Sequence, residues 1–266
     1  MSNSHYTRIL FLLSKGMMLM IDRRLHEVHP VLTQAGQLVE AWQGSPQQKE
    51  SLKVFFLVLQ VCHHLNAGQV KSVKSPLKLL QQSIQYITTY HSDDDVMSNN
   101  ITDNFHWMTK EHMSVLVYLV TVLHSMQAGY MDKAQKYTEK ALMQIEKLKL
   151  LDDHPLLHTF QLLLLEHIAM CRLVMGNGTH AIKETVQAFK ICVREPRLKA
   201  RHSPLIHTLF GLYSLYINQL DLAENHLIAV LRNAAASSEL QIMARLNLCI
   251  VYMRLPRESQ LADLLN

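Results

Sequence analysis

Glycine and proline are both scarce, at 8 and 7 in 266 residues, and tryptophan occurs twice. With so little turn punctuation and little β-branched alternation, a sandwich or barrel of many short strands is excluded, which favours an all-helical chain. The four cysteines, Cys62, Cys171, Cys192 and Cys249, lie far apart and form no Cys-x-x-Cys pair. That argues against a paired-cysteine zinc site and fits reduced core thiols in a cytosolic or nuclear protein. No P-loop, Gly-x-Gly-x-x-Gly or Gly-x-Ser-x-Gly motif is present. Charge of one sign is also lacking. Lys and Arg number 26 against 22 Asp and Glu, a net charge of +4, where a dedicated DNA-binding domain is more extreme and more clustered. Long apolar runs are missing too. "ILFLLSKGMMLMI" (Ile9–Ile21) is interrupted by Lys15, and "VLVYLVTVL" (Val115–Leu123) is too short to span a bilayer, so no membrane segment is expected.

What is present is helix after helix. Apolar residues make up 48% of the chain and charged residues 18%, enough to bury a core. Breaks fall near "MIDRR", "WQGSP", "NAGQ", "QAGY", "LDDHP", "MGNGT", "VREPRLKARHSP", "INQLD" and "RLPRE". Short turns between segments imply antiparallel helical hairpins. The acidic, Ser- and Asn-rich stretch His91–Phe105 reads as a mobile loop.

Small residues recur at one spacing. Ala134 and Ala141, just past Gly129, are two helical turns apart and share a face, and a first-helix site twelve residues before Ala134 falls on Val122. The same twelve-then-seven spacing fits Ala169, Ala181 and Ala188; Gly211, Ala223 and Val230; and Gly16, Val28 and Ala35. Val61, Val73 and Leu80 fit it loosely, and Cys249 in "LNLCIVY" begins another frame. Small contact sites in helical pairs are the mark of tetratricopeptide (TPR) repeats, although these units are longer than the strict repeat. The expectation is an all-α, TPR-like right-handed superhelix of antiparallel helix pairs, one array over 1–266. The plainer alternative is six amphipathic hairpins without a superhelix.

Candidate chemistry is thin. "LHEVHP" (Leu25–Pro30) resembles a zinc-peptidase motif but is one residue short of His-Glu-x-x-His, and no third ligand accompanies His26 and His29. In "CHH" (Cys62–His64) a core cysteine with partly exposed histidines is the favoured reading. The densest basic cluster, Arg194, Arg197, Lys199 and Arg201, reads as a solvated loop, with a phosphate or acidic-partner contact as the alternative. No enzyme, metal or cofactor is expected.

First helices are more informative. The residue after each small site, and those three and four further on, give Met17, Met20 and Ile21; Leu123, Met126 and Gln127; Met170, Leu173 and Val174; and Leu212, Leu215 and Tyr216. This Met-rich apolar stripe either lines a groove that adapts to an apolar peptide or is core filled by neighbouring helices. The Lys, Asn and Arg pattern of carboxylate-gripping TPR domains is missing from it.

Three stretches carry a specific resemblance: Val54–Gln85, His106–Lys149 and "LLEHIAMCRLVMG" (Leu164–Gly176). The chain resembles, over nearly its whole length, the metazoan chromatid cohesion factors of the Mau type, the TPR subunit of the cohesin loader. That resemblance implies a non-enzymatic nuclear scaffold associated with chromatin. It would wrap an extended N-terminal segment of a Nipped-B-type HEAT-repeat loader, act on cohesin indirectly, and leave the ATPase to cohesin. Family members are longer on both sides, so the resemblance also implies an array that starts partway and stops inside a repeat, at "RESQLADLLN".

Because acidic residues are interleaved with basic ones along most helices, direct binding to bulk DNA is expected to be weak or absent. Titration of labelled duplex across a salt series checks this, and tight, salt-resistant binding would contradict it.

Overall fold

The computed structural model describes residues 2–90 and 108–265. The stretch His91–Phe105, expected as a loop, lies outside the described residues. The chain forms two compact units, Met1–Tyr137 and Thr138–Asn266. The first holds α1 (Ser2–Ile21), α2 (Leu25–Glu40), α3 (Pro46–Asn66), α4 (Val70–Tyr90), α5 (Lys110–Gln127) and the start of α6 (Met131–Lys149). The second holds the rest of α6 with α7 (Pro155–Val174), α8 (Gly178–Arg194), α9 (Pro196–Tyr216), α10 (Leu220–Arg232), α11 (Ser238–Arg254) and α12 (Glu258–Leu265). The fold is all-α, built from antiparallel helix pairs of the TPR kind. Within the first unit α1 packs on α2 and α3 on α4; within the second α7 packs on α8 and α9 on α10. First helices also touch each other, α1 to α3 to α5 in one unit and α7 to α9 to α11 in the other.

One turn closes hairpin after hairpin. Arg23, Gly68, Gly129, Gly176 and Asn218 all take positive φ, between 58° and 79°. At each, the residue's own N–H and the next one donate back to the helix end, as from Gly68 to Leu65 O and Gln69 to His64 O. These are Schellman turns, which satisfy carbonyls the helix end leaves bare. Each left-handed residue stands seven positions after a first-helix site, Gly16, Val61, Val122, Ala169 or Gly211. Five residues past the turn come Val28, Val73, Ala134, Ala181 and Ala223, and seven further come Ala35, Leu80, Ala141, Ala188 and Val230. Every one of these fifteen positions is buried. A methyl group added at Gly211 would come within 2.9 Å of the Leu227 side chain, and one at Gly16 within 3.3 Å of Leu32. Gly129, grouped with the packing residues on sequence, instead supplies the turn: a methyl group there would meet nothing within 4 Å. Its role is conformational, since only glycine adopts positive φ without cost.

Helix starts follow local chemistry. Ser45, Thr109 and Ser237 cap α3, α5 and α11 by accepting from Gln48, His112 and Leu240 N–H. Two boundaries differ from the sequence reading. "VREPRLKARHSP" is not a loop: only Glu195 separates α8 from α9, Pro196 begins the new helix, and α9 runs through Pro204. Proline suits a first turn, and buried Pro204, Ile206 and Leu209 hold the helix together past the missing N–H. The break at 233–237 was missed because its three alanines favour helix; Asn233 Oδ1 accepts from Ala235 N–H and turns the chain.

α7 is, among the described residues, the one helix whose length and apolarity match a membrane span. Here it fills core, with Leu157, Leu162, Leu164 and Leu165 fully buried. It also carries a buried polar pair, Glu166 accepting from His202 Nδ1 on α9 at 2.9 and 3.0 Å. Removing His202 would leave the buried carboxylate without this donor, a loss of at least about 1–3 kcal/mol.

Four histidines are held below their ordinary value of 6.5 by burial: His63, His124, His207 and His226. His207 and His226 bridge α9 and α10 through facing Nδ1 atoms 3.1 Å apart, so one ring donates and the other accepts. Below about pH 6.5 the unfolded chain binds more protons than the folded one, so stability falls as pH drops through that value. The melting temperature should therefore decrease from about pH 7.5 to about pH 5.5. His207→Phe with His226→Leu should flatten that decrease, which melting curves of both proteins across the range will read.

Candidate protein-binding surface

Because the turn register is fixed, the outward faces of the first helices are fixed with it. The residue after each buried site leans away from the second helix, and those three and four further on lie one turn along the same face. In α1, Met17 and Ile21 are exposed and Met20 is half-buried. In α5, Leu123 and Met126 are half-buried and Gln127 is exposed. In α7, Met170 and Leu173 are half-buried and Val174 is 68% exposed. In α9, Leu212 and Leu215 are half-buried and Tyr216 is exposed. None of the stripe is fully buried. α3 interrupts the pattern, since Cys62 is half-buried and Leu65 is buried.

Tyr216 does more than line a face. Its hydroxyl donates to Gly176 O at 2.9 Å, across to the turn between α7 and α8, and its ring occupies the space a side chain at Gly178 would need. Tyr213 stacks beside it, with ring centroids 6.5 Å apart. Tyr216 thus ties one hairpin to the next while leaving part of its ring open. Beneath the same face, Arg172 of α7 and Glu184 of α8 form an ion pair at 2.7 Å. Burial raises the Glu184 carboxyl, and Arg172 opposes that shift.

A continuation of the stripe went unrecognised in the sequence. On α11, Ile242, Leu246, Ile250 and Met253 are exposed at helical spacing. The opposite face, Ala244, Leu248, Val251 and Tyr252, is buried with α10 residues Ala223, Leu227 and Val230. The signal was available: the frame begun at Cys249 places Ile250 and Met253 at the same positions as Met170 and Leu173. Cys249 itself is half-buried, unlike the other first-helix sites, and its neighbour Leu248 is the buried residue.

The remaining candidates do not assemble into reactive centres. His26 is 82% exposed, and the Glu27 carboxylate accepts from Arg24 Nε at 2.6 Å. No group of three or more metal-ligating side chains converges among the described residues. In "CHH", His63 rather than Cys62 is the most buried member, which corrects the expected order. Burial pushes the Cys62 and Cys192 thiols up to about 11, the reverse of an activated nucleophile. Arg194, Arg197, Lys199 and Arg201 are all exposed along the α8–α9 junction, with Arg197 reaching Glu195 at 3.3 Å.

Residues 1–266 match the family model described as cohesin loading factor. The protein named MAU2 chromatid cohesion factor homolog in Drosophila willistoni is 50% identical over 266 residues, covering 98% of this chain and 40% of that protein. Its Drosophila melanogaster counterpart is 49% identical over 269 residues, covering 100% and 42%. The chain spans about two fifths of the length of these relatives. Among solved structures, the apo form of RapI aligns with a TM-score of 0.46 at 9% identity, over 96% of this chain and 74% of that one.

The two faces of α11 should respond oppositely to mutation. Leu246→Ser, on the open face, should change stability by no more than about 0.5 kcal/mol. Leu248→Ala, on the covered face, should cost about 2–5 kcal/mol. Urea denaturation followed by circular dichroism measures both.

Proposed function

The chain belongs to the cohesin loading factor family, and from that premise we propose that it is a non-enzymatic scaffold of the cohesin-loading machinery. Its hairpins are built to one register, and their first helices receive an extended segment of a Nipped-B-type HEAT-repeat partner. Through that partner it supports association of cohesin with chromatin in the nucleus, and sister-chromatid cohesion. Cohesin is reached indirectly, and direct contact with DNA is weak or absent.

The observation that carries this reading is the open apolar stripe. Met17 and Met20 on α1, Leu123 and Met126 on α5, Met170 and Leu173 on α7, and Leu212 and Tyr216 on α9 are each half-buried or exposed. They recur at the same point of four hairpins, α3 interrupting the run, and Ile250 and Met253 extend them onto α11. Apolar side chains held at a fixed repeat suit an extended segment that presents apolar residues along its length. Methionines adapt to such a segment without demanding one shape. The half-buried state gives each anchor a rigid seat and leaves a surface for the partner to cover.

Met170→Glu with Leu173→Glu is the decisive variant. Each lost apolar contact costs on the order of 2–5 kcal/mol, and burying charge adds to that. Since each 1.4 kcal/mol is about tenfold, binding to the N-terminal segment of the Nipped-B-type partner should fall by orders of magnitude. Helicity should be retained, because neither side chain is fully buried in the free chain. A pull-down and circular dichroism on one preparation give the answer. A helical variant that still binds normally removes these residues from the interface, and loss of helicity assigns them to the core.

A further inference from the structure

α4, like α1 and α9, carries cations and no Asp or Glu of its own. Lys71, Lys74 and Lys78 are spaced three and four apart, so they share one face, and all three are exposed. From Ser51 to Tyr90 the sequence contains no Asp or Glu. None of the three lysines has an ion-pair partner among the described residues. Some cations elsewhere are paired: Arg24 reaches Glu27, Lys53 reaches Glu50, Arg172 reaches Glu184 and Arg257 reaches Glu224. Lys133, exposed at the start of α6, adds to the same field, since it and Lys74 both act electrostatically on His124. Like charges three and four apart oppose helix formation, so folding alone gives no reason for the row. Beside it, Leu79 and Tyr86 stand seven residues apart on α4, each 43% exposed. The face therefore combines a cationic rail with an apolar one.

We propose that this face of α4 docks an acidic protein segment that carries apolar side chains. The surface belongs to a second helix, separate from the first-helix stripe, and the inference does not depend on that stripe's role. Charge complementarity supplies the argument for the occupant. Lys71 to Lys78 spans about 10 Å at 1.5 Å per residue. An extended segment rises about 3.3 Å per residue, so the row matches roughly three or four successive residues, a short run of Asp and Glu. Leu79 and Tyr86 favour a peptide over duplex DNA, because a phosphate backbone offers nothing apolar to cover them. The cations are lysines without an arginine, which suits point-charge attraction more than bidentate phosphate recognition.

The test uses the full chain and a short fluorescein-labelled peptide of Glu and Asp interrupted by leucines, followed by anisotropy. The peptide should bind at low salt and weaken steeply as salt rises. Lys71→Glu, Lys74→Glu and Lys78→Glu together should reduce affinity at least about tenfold, with circular dichroism unchanged. The same peptide with lysine in place of its acidic residues should bind the triple variant and not the parent. Leu79→Ser with Tyr86→Ser should weaken the acidic peptide too, and Lys→Gln at the three positions serves if the glutamates disturb folding. Met170→Glu with Leu173→Glu should leave peptide binding untouched, which separates this surface from the first-helix stripe. Unchanged peptide affinity in the lysine variants overturns the proposal. So does duplex DNA that binds more tightly than the peptide and is lost in the same variants, because the face would then serve nucleic acid.

Discussion

The close approach of two helices within each hairpin is the contact on which the rest depends. A left-handed residue seven positions past the first-helix site sends the chain back so that positions twelve and nineteen beyond that site are buried on the second helix. With the turn fixed, these contacts cannot slide, because a shift of one residue rotates the helix by about 100° and turns the buried face away. Gly211 against Leu227 and Gly16 against Leu32 are the tightest expression of this limit. Where a glycine is not needed, Val61, Val122 or Ala169 takes the same place.

That register also sets which residues stay accessible. A first helix uses one face for its hairpin partner and a second for neighbouring first helices, so the third face stays open. Met17, Ile21, Val174 and Tyr216 of the apolar stripe are exposed, whereas Met20, Leu123 and Leu215 pack partly against the core, and Tyr216 uses its hydroxyl to tie adjacent hairpins while its ring remains partly open. The same division leaves the outer face of a second helix to solvent. On α4 that face carries lysines, and no carboxylate on the helix opposes them.

Polar groups inside the second unit are paired across helices. Glu166 with His202 joins α7 to α9, Arg172 with Glu184 joins α7 to α8, and His207 with His226 joins α9 to α10. In a low-dielectric interior each pair is favourable only when its partners are in place. They therefore reinforce the register that the small residues set. They also make the unit sensitive to protonation, since the His207–His226 contact requires that at least one ring be neutral.

Much of the fold was legible in the sequence because a helical period and a turn are local properties. Scarce glycine, recurring small residues and fixed spacing determined helical hairpins, their register and most of their boundaries, including the loosely matching Val61, Val73 and Leu80. The resemblance to the Mau-type cohesion factors was likewise carried by stretches of sequence alone. Other features depended on what packs against what. Pro204 lies within a helix because burial offsets the missing N–H, and the alanine-rich break at 233–237 forms although its composition favours helix. Gly129 proved a turn residue because its positive φ, rather than its size, is what the site uses. Whether the methionine stripe was core or surface could not be read from spacing, since both arrangements have the same period. Only the tertiary structure shows that its residues are half-buried or exposed, because exposure depends on which neighbouring helices arrive to cover a face.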